Sequence, residues 1–243
     1  MKLADLVECS LPLLAEGKDD AYPYWFGGTC FLVRYQGDLF VVTANHCLKN
    51  KTKDEVRVQR HPASDTFLTL TALFTQHKEA LHEDDPDQDD WAVLQVEVMD
   101  SCDPTATPLD LDATPDATQL TGTKLVVRGY PKGLSGIDYD ALKIRWQAFA
   151  GSAAYEGRPS WSERCHTLVL DDVAGVESID GLSGSPVFAL KPEHGNKLSY
   201  SFAGMALRGS KESKLVHILE APVVRAAVAA AHRNRRAPVK PSG

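Results

Sequence analysis

The sequence predicts an all-β protein: two antiparallel six-stranded β-barrels in series, followed by one C-terminal α-helix. Three observations carry this. Short runs of strand-forming residues bounded by Gly, Pro, Asn or Asp recur along most of the chain. A stretch over 99–119, with Pro104, Pro108 and Pro115 among Asp, Thr and Ala, divides those runs in two as a surface linker. Only the segment from about Ala221 to His232 reads as a helix, with Pro222 in its first turn and Val224, Ala227, Val228 and Ala231 on one apolar stripe.

In chain order, residues 1–24 are expected as an arm packed across the body, with Leu11-Pro12-Leu13-Leu14 as its apolar part. The first barrel is expected over 25–110. Thr29–Tyr35 and Leu39–Thr43 form a hairpin around the turn Gln36-Gly37-Asp38, and further strands fall at Asp54–Arg60, Thr66–Phe74 and Trp91–Val98. The second barrel is expected over 111–219. Its strands are Lys124–Gly129, Leu142–Phe149, Thr167–Asp171, Val187–Leu190, Leu198–Ala206 and Leu215–Leu219. Residues 220–243 make the helix and a basic tail, whose Arg233, Arg235, Arg236 and Lys240 suit a helix C-terminus.

The 243 residues suffice for a sizeable core, and the net charge of −7 argues against general nucleic-acid binding, which needs clustered cations. Five cysteines, at 9, 30, 47, 102 and 165, are odd in number and follow no framework spacing. Asp5 and Glu8 interrupt the apolar character a signal peptide needs, and no stretch reaches membrane-spanning length. These features point to a cytoplasmic protein with free thiols.

Chemistry centres on Gly181-Leu182-Ser183-Gly184-Ser185-Pro186. A serine between glycines can be an ordinary hairpin turn, or a nucleophile whose neighbouring N–H groups stabilise an oxyanion. The second reading needs a base and an acid. His46 stands at the end of the apolar run Val41–Thr43, a rigid mount for a general base. Asp90 directly precedes the strand starting at Trp91, where a carboxylate can fix the imidazole tautomer; Asp89 is its rival. The acidic run Glu83, Asp84, Asp85, Asp87 and Asp89 reads as a solvated loop. With His77 and His82 it matches no metal-ligand template, so no metal or other cofactor is expected.

The order His46, Asp90, Ser183 resembles the trypsin/chymotrypsin clan of serine peptidases. Val42-Thr43-Ala44-Asn45-His46-Cys47 is similar to that clan's V-T-A-A-H-C, Asp90-Trp91-Ala92-Val93-Leu94 to its D-I-A-L-L, and Gly181–Pro186 to its G-D-S-G-G-P. Gly28–Val33 and Val127–Pro131 resemble strands of the bacterial HtrA-like branch. The resemblance implies a chymotrypsin-like fold and a serine endopeptidase acting on a protein or peptide substrate. Ser183 would be nucleophile, His46 base, Asp90 the residue that orients it, and the N–H groups of Gly181 and Ser183 the oxyanion hole. By the same resemblance Glu177 would sit at the base of the specificity pocket and favour Arg or Lys, with Leu207-Arg208-Gly209 opposite. Arg208 there would favour acidic groups.

Leu182 replaces the clan's Asp, which in zymogen-activated members pairs with a new N-terminus, so activation by N-terminal clipping is not expected. Ser185 and Asn45 are further departures. Cys30 falls near the clan's first cysteine, yet the familiar bond to Cys47 is not expected. An α/β-hydrolase is excluded because its histidine and acid follow the serine. The other reading retained is a trypsin-like scaffold that is dormant, or acts by binding, until a regulatory partner activates it.

Overall fold

The computed structural model describes residues 8–19, 22–62, 64, 66–76, 85–97, 106–138, 143–173, 175–192 and 198–235. His77, His82, Glu83, Asp84, Cys102, Arg236 and Lys240 lie outside them, as does the first part of the linker. Fifteen strands and one long helix make up the regular structure of these residues.

The first unit is a seven-stranded sheet rather than a closed six-stranded barrel. Its main path runs from β4 (Val56–Val58) through β1 (Ser10–Asp19), β2 (Tyr22–Tyr35), β3 (Asp38–Thr43) and β6 (Ala92–Val96) to β5 (Leu70–Thr75). The sheet curls until its ends nearly meet: Gln59 bridges Phe67, and Leu68 N–H donates to the Val58 carbonyl at 2.8 Å. The sequence predicts the β2–β3 hairpin correctly, with Gln36 and Gly37 at positive φ in its turn.

Residues 10–19, expected as an arm, are a strand paired with both β2 and β4. Leu11, Leu13, Leu14 and Ala15 are all buried, so the segment shows no polar alternation to mark it as a strand. Pro12 pairs only toward β2, beyond the end of β4, where its missing N–H breaks no ladder bond.

The linker's described half is fastened rather than free. β7 (Leu109–Asp110) runs parallel to β2, and Ala117 N–H donates to the Phe202 carbonyl at 2.7 Å.

The second unit is a closed barrel in the order β11 (Phe149–Gly157), β12 (Cys165–Leu170), β15 (Leu215–Glu220), β14 (Leu198–Gly209), β13 (Pro186–Pro192) and β8 (Lys124–Gly129). β9 (Gly136–Asp138) and β10 (Lys143–Arg145) form a separate two-stranded ribbon. The strand expected at Leu142–Phe149 is thus two: short β10 and long β11. The small residues Gly151, Ser152, Ala153 and Ala154 at the heart of β11 carry little strand propensity. Their place is set by pairing with β8 and β12.

Leu125, Val127, Leu168, Leu170, Val187 and Ile218 fill the closed barrel. A second apolar cluster covers the inner face of the first sheet and continues through Phe188, Phe202 and Met205 to the helix. The helix, α1 (Ala221–Arg235), buries the predicted stripe Val224, Ala227, Val228 and Ala231. Arg225 ties it to the linker through Asp116 at 2.6 Å and the carbonyls of Leu111 and Thr114. At its C-terminal end, buried His232 lies 2.9 Å from Asp38 of the hairpin, which also pairs with Arg235.

Candidate active site

The cleft between the two units brings together residues far apart in sequence. β3 ends at Thr43, and a one-turn 3-10 helix over Asn45–Leu48 lifts the His46 ring to the surface while burying Cys47 and Leu48. A second such turn, Pro86–Asp89, carries Asp90 at its end, immediately before β6. β3 and β6 are paired neighbours, with Thr43 opposite Ala92, so the two turns emerge side by side.

Both oxygens of Asp90 hold the histidine. One accepts the His46 backbone N–H at 2.9 Å and the other contacts Nδ1 at 2.6 Å. A carboxylate on Nδ1 places that proton there and leaves Nε2 as the basic nitrogen. The hydrogen bond to Asp90 is the main cause that raises the His46 pKa to about 10, with a smaller contribution from Cys47. Asp89, the rival acid, is buried within the 3-10 turn, and Asp90 is the carboxylate seen on Nδ1.

Ser183 lies on the loop before β13, and its shape is fixed from three sides. Gly184 N–H donates to the Ala206 carbonyl at 2.7 Å, and Ser185 N–H to the Leu182 carbonyl at 2.9 Å. From the first sheet, Thr29 N–H donates to the Ser183 carbonyl at 3.0 Å, while its hydroxyl donates to the Gly181 carbonyl at 2.7 Å. That hydroxyl also accepts Tyr130 N–H at 2.8 Å, and Thr43 Oγ1 donates to the Thr29 carbonyl at 2.8 Å. Thr29 and Thr43 are fully buried. Sequence reasoning missed this clamp; Thr29 occurs in a run quoted only as a strand.

The loop needs its glycines. Gly181 and Gly184 have φ of 93° and 86°, and a Cβ on Gly184 would lie 1.9 Å from the Thr29 carbonyl oxygen. Among the described residues, neither Gly181 N–H nor Ser183 N–H has a protein acceptor, so both are free to stabilise a negative oxygen.

Leu182 is 3% exposed and belongs to the apolar cluster of the closed barrel, beside Ile179, Val176 and Val187. The loop is therefore anchored by apolar burial where an aspartate would need a cationic partner. Cys47 lies against this loop, its thiol 3.6 Å from the Ser183 carbonyl. Cys9, Cys30, Cys47 and Cys165 are all free, and burial is the main cause that pushes the Cys30 thiol well above its usual range.

A pocket of about 90 Å³ opens beside Ser183, lined by Ile179, Leu182, Ala206, Val216 and Gly209, with Asp180 and Arg208 as its charged members. Arg208 and Gly209 are both among its lining residues. Glu177 does not line the pocket. It is exposed, its carbonyl accepts from Lys211 at 3.3 Å, and its backbone packs against Gly133. Between Glu177 and Ser183 the chain makes a turn in which Leu182 N–H donates to the Ile179 carbonyl at 3.1 Å.

A closed barrel, a curled sheet and a C-terminal helix, with a serine loop packed through its Ser183 carbonyl against Cys47, next to the histidine held by Asp90, define a chymotrypsin-like protease scaffold. Matching to known families gives the same class: residues 28–193 match the trypsin-like peptidase domain, and the chain belongs to that family. The crystal structure of the scabies mite inactivated protease paralogue S-I1 shares the fold, with a TM-score of 0.59 and 13% identity over 95% of this chain and 96% of that one. A serine-to-alanine mutant of Rv3671c from M. tuberculosis, in an inactive form, gives a TM-score of 0.50 at 17% identity over 99% and 92% of the two chains. No curated protein matches significantly.

Proposed function

We propose that the protein is a serine endopeptidase acting through an acyl-enzyme on Ser183. The observation that carries this is the double hold of Asp90 on His46, which fixes both the imidazole orientation and its proton on Nδ1. Ser183 Oγ attacks the substrate carbonyl as its proton passes to His46 Nε2, and the resulting oxyanion is met by the N–H groups of Gly181 and Ser183. His46 then gives the proton to the leaving amine, and water hydrolyses the ester by the same route in reverse.

A fluorophosphonate probe tests this, because only an activated serine is labelled at an appreciable rate. The wild-type protein is expected to label stoichiometrically and Ser183→Ala not at all; an unlabelled wild type across pH 7 to 10 rejects the peptidase reading.

The pocket also sets an expected specificity. At about 90 Å³ it is small, and Ile179, Leu182, Ala206 and Val216 supply aliphatic walls beside the charged Asp180 and Arg208. Residues such as Ala or Val on the acyl side of the scissile bond are expected to be cleaved at least about 10-fold more efficiently than Arg or Lys. Peptide-library profiling reads this directly, and a dominant preference for basic residues overturns it and points to Asp180.

The buried Leu182 supports activity that does not await a new N-terminus. A second reading, a scaffold dormant until a partner acts, is favoured by the close contact of Asp90 with His46 Nδ1 at 2.6 Å, which raises the His46 pKa to about 10 and so favours a protonated base at neutral pH. A partner that lowered it would switch the protein on. The free thiols support a reducing, cytoplasmic setting, and the two strand resemblances support a bacterial, HtrA-like relative. No partner other than a protein or peptide substrate and such a regulator is proposed.

A further inference from the structure

On the first sheet's side of the cleft, Asp87 sits in the turn that carries Asp90, and Asp90 N–H donates to the Asp87 carbonyl at 3.2 Å. Its side chain is buried, and one carboxylate oxygen lies 2.5 Å from Arg208 Nη2 on the closed barrel, an ion pair without hydrogen-bond alignment. The Arg208 guanidinium stacks over the Trp161 ring with 4.6 Å to its centroid, which fixes the charge in place. A second tie runs alongside, from Ser162 Oγ to Asp85 at 2.5 Å.

We infer that the Asp87–Arg208 ion pair positions the turn bearing Asp90 and balances the charge that reaches His46. Asp87 and Arg208 are positioning residues: neither contacts the ring. The inference rests on the peptidase reading of His46, Asp90 and Ser183.

The physical basis is a charge balance. Asp87 lies in a crowd of carboxylates, with Asp85 and Asp90 near it, and His46 and Arg208 are the cations it interacts with. Two further titratable groups face this cluster: burial pushes the Cys165 thiol up to about 12, so it stays neutral, and His217, beside Trp161 and Arg208, is held below the ordinary histidine range chiefly by burial and then by the Arg208 charge. The His46 ring itself is met by Asp90 and Cys47. An anion at Asp87 favours the imidazolium, and the cation paired with it cancels most of that effect at distance. Burial, the main influence on Asp87, raises its carboxyl above the usual range, so a carboxylate left without Arg208 is costly there.

The two charges make opposite predictions when removed singly, and a near-null prediction when removed together. NMR titration of the His46 ring, in protein carrying Ser183→Ala, reads this without any need for turnover. Adding Arg208→Gln is expected to raise the His46 pKa by about half a pH unit or more, Asp87→Asn to lower it similarly, and the double substitution to return it close to its starting value. Arg208→Lys keeps the charge and is expected to restore the original titration. Shifts of the same sign in both single variants, or no shift in either, overturn the inference. In the Ser183-containing protein, the acid limb of the labelling rate is expected to move with the titration. Because the titration is made without the nucleophile, a protein that never labels but titrates as stated sinks the peptidase reading and leaves the charge coupling standing.

Discussion

Asp90→Asn is expected to slow fluorophosphonate labelling of Ser183 by about four orders of magnitude, the loss typical when a triad carboxylate becomes an amide. The amide oxygen can still accept the His46 backbone N–H, so the turn keeps its place. The amide nitrogen, a donor, then faces Nδ1, which must become an acceptor and send its proton to Nε2. The nitrogen needed as a base is thereby blocked. Labelling of wild type is expected to rise with pH toward about 10, the value to which Asp90 raises His46, and this limb is expected to collapse toward the ordinary histidine range in Asp90→Asn. The same shift has a consequence for stability. His46 has a raised value in the folded state, so its contribution is complete below about 6.5 and lost as pH climbs through about 10. Melting temperatures of wild type and Asp90→Asn should therefore differ at neutral pH and converge above 10. The His46 side chain is 49% exposed, so the difference will be small.

Gly184→Ala acts on the loop itself. The new methyl would lie 1.9 Å from the Thr29 carbonyl oxygen and 2.5 Å from Thr43 Oγ1, both buried and both engaged in the clamp. The substituted residue must also hold a φ of 86°, which disfavours any side chain by about 1–2 kcal/mol. Adding about 1–3 kcal/mol for overpacking gives a loss of roughly 2–5 kcal/mol, or about 10 °C in melting temperature, together with loss of labelling. Gly37 and Gly122 supply the control. They have φ of 84° and 71° but nothing within 4 Å of a Cβ, so alanine there should cost only the backbone part. Equal effects at all three positions would mean that the loop yields and the clamp is unimportant.

What the sequence made legible follows from how local the signal is. The β2–β3 hairpin announces itself through two apolar runs about a turn, and the helix through one stripe and a proline. His46 and Asp90 were readable because each abuts a strong strand, and neighbouring strands bring their ends together. Legibility failed where tertiary contacts decide. β1 lacks alternation because both of its faces are covered, and β11 is built of small residues held by their neighbours. The backbone around Glu177 lies against Gly133 and Lys211, contacts that no local pattern announces. Thr29 gave no sign at all, since its role arises only when two units distant in sequence meet.

That last residue implies something about durability. The Ser183 loop belongs to the closed barrel by covalent connection, yet Thr29 holds two of its carbonyls from the other sheet. Any stress that wedges the units apart therefore strips those bonds before either sheet has lost a strand. The shape of the Ser183 loop, on which the proposed peptidase activity depends, is a property of the pair and is the first thing to go. A gently heated or mildly denatured sample should fall silent while still looking fully folded by its backbone.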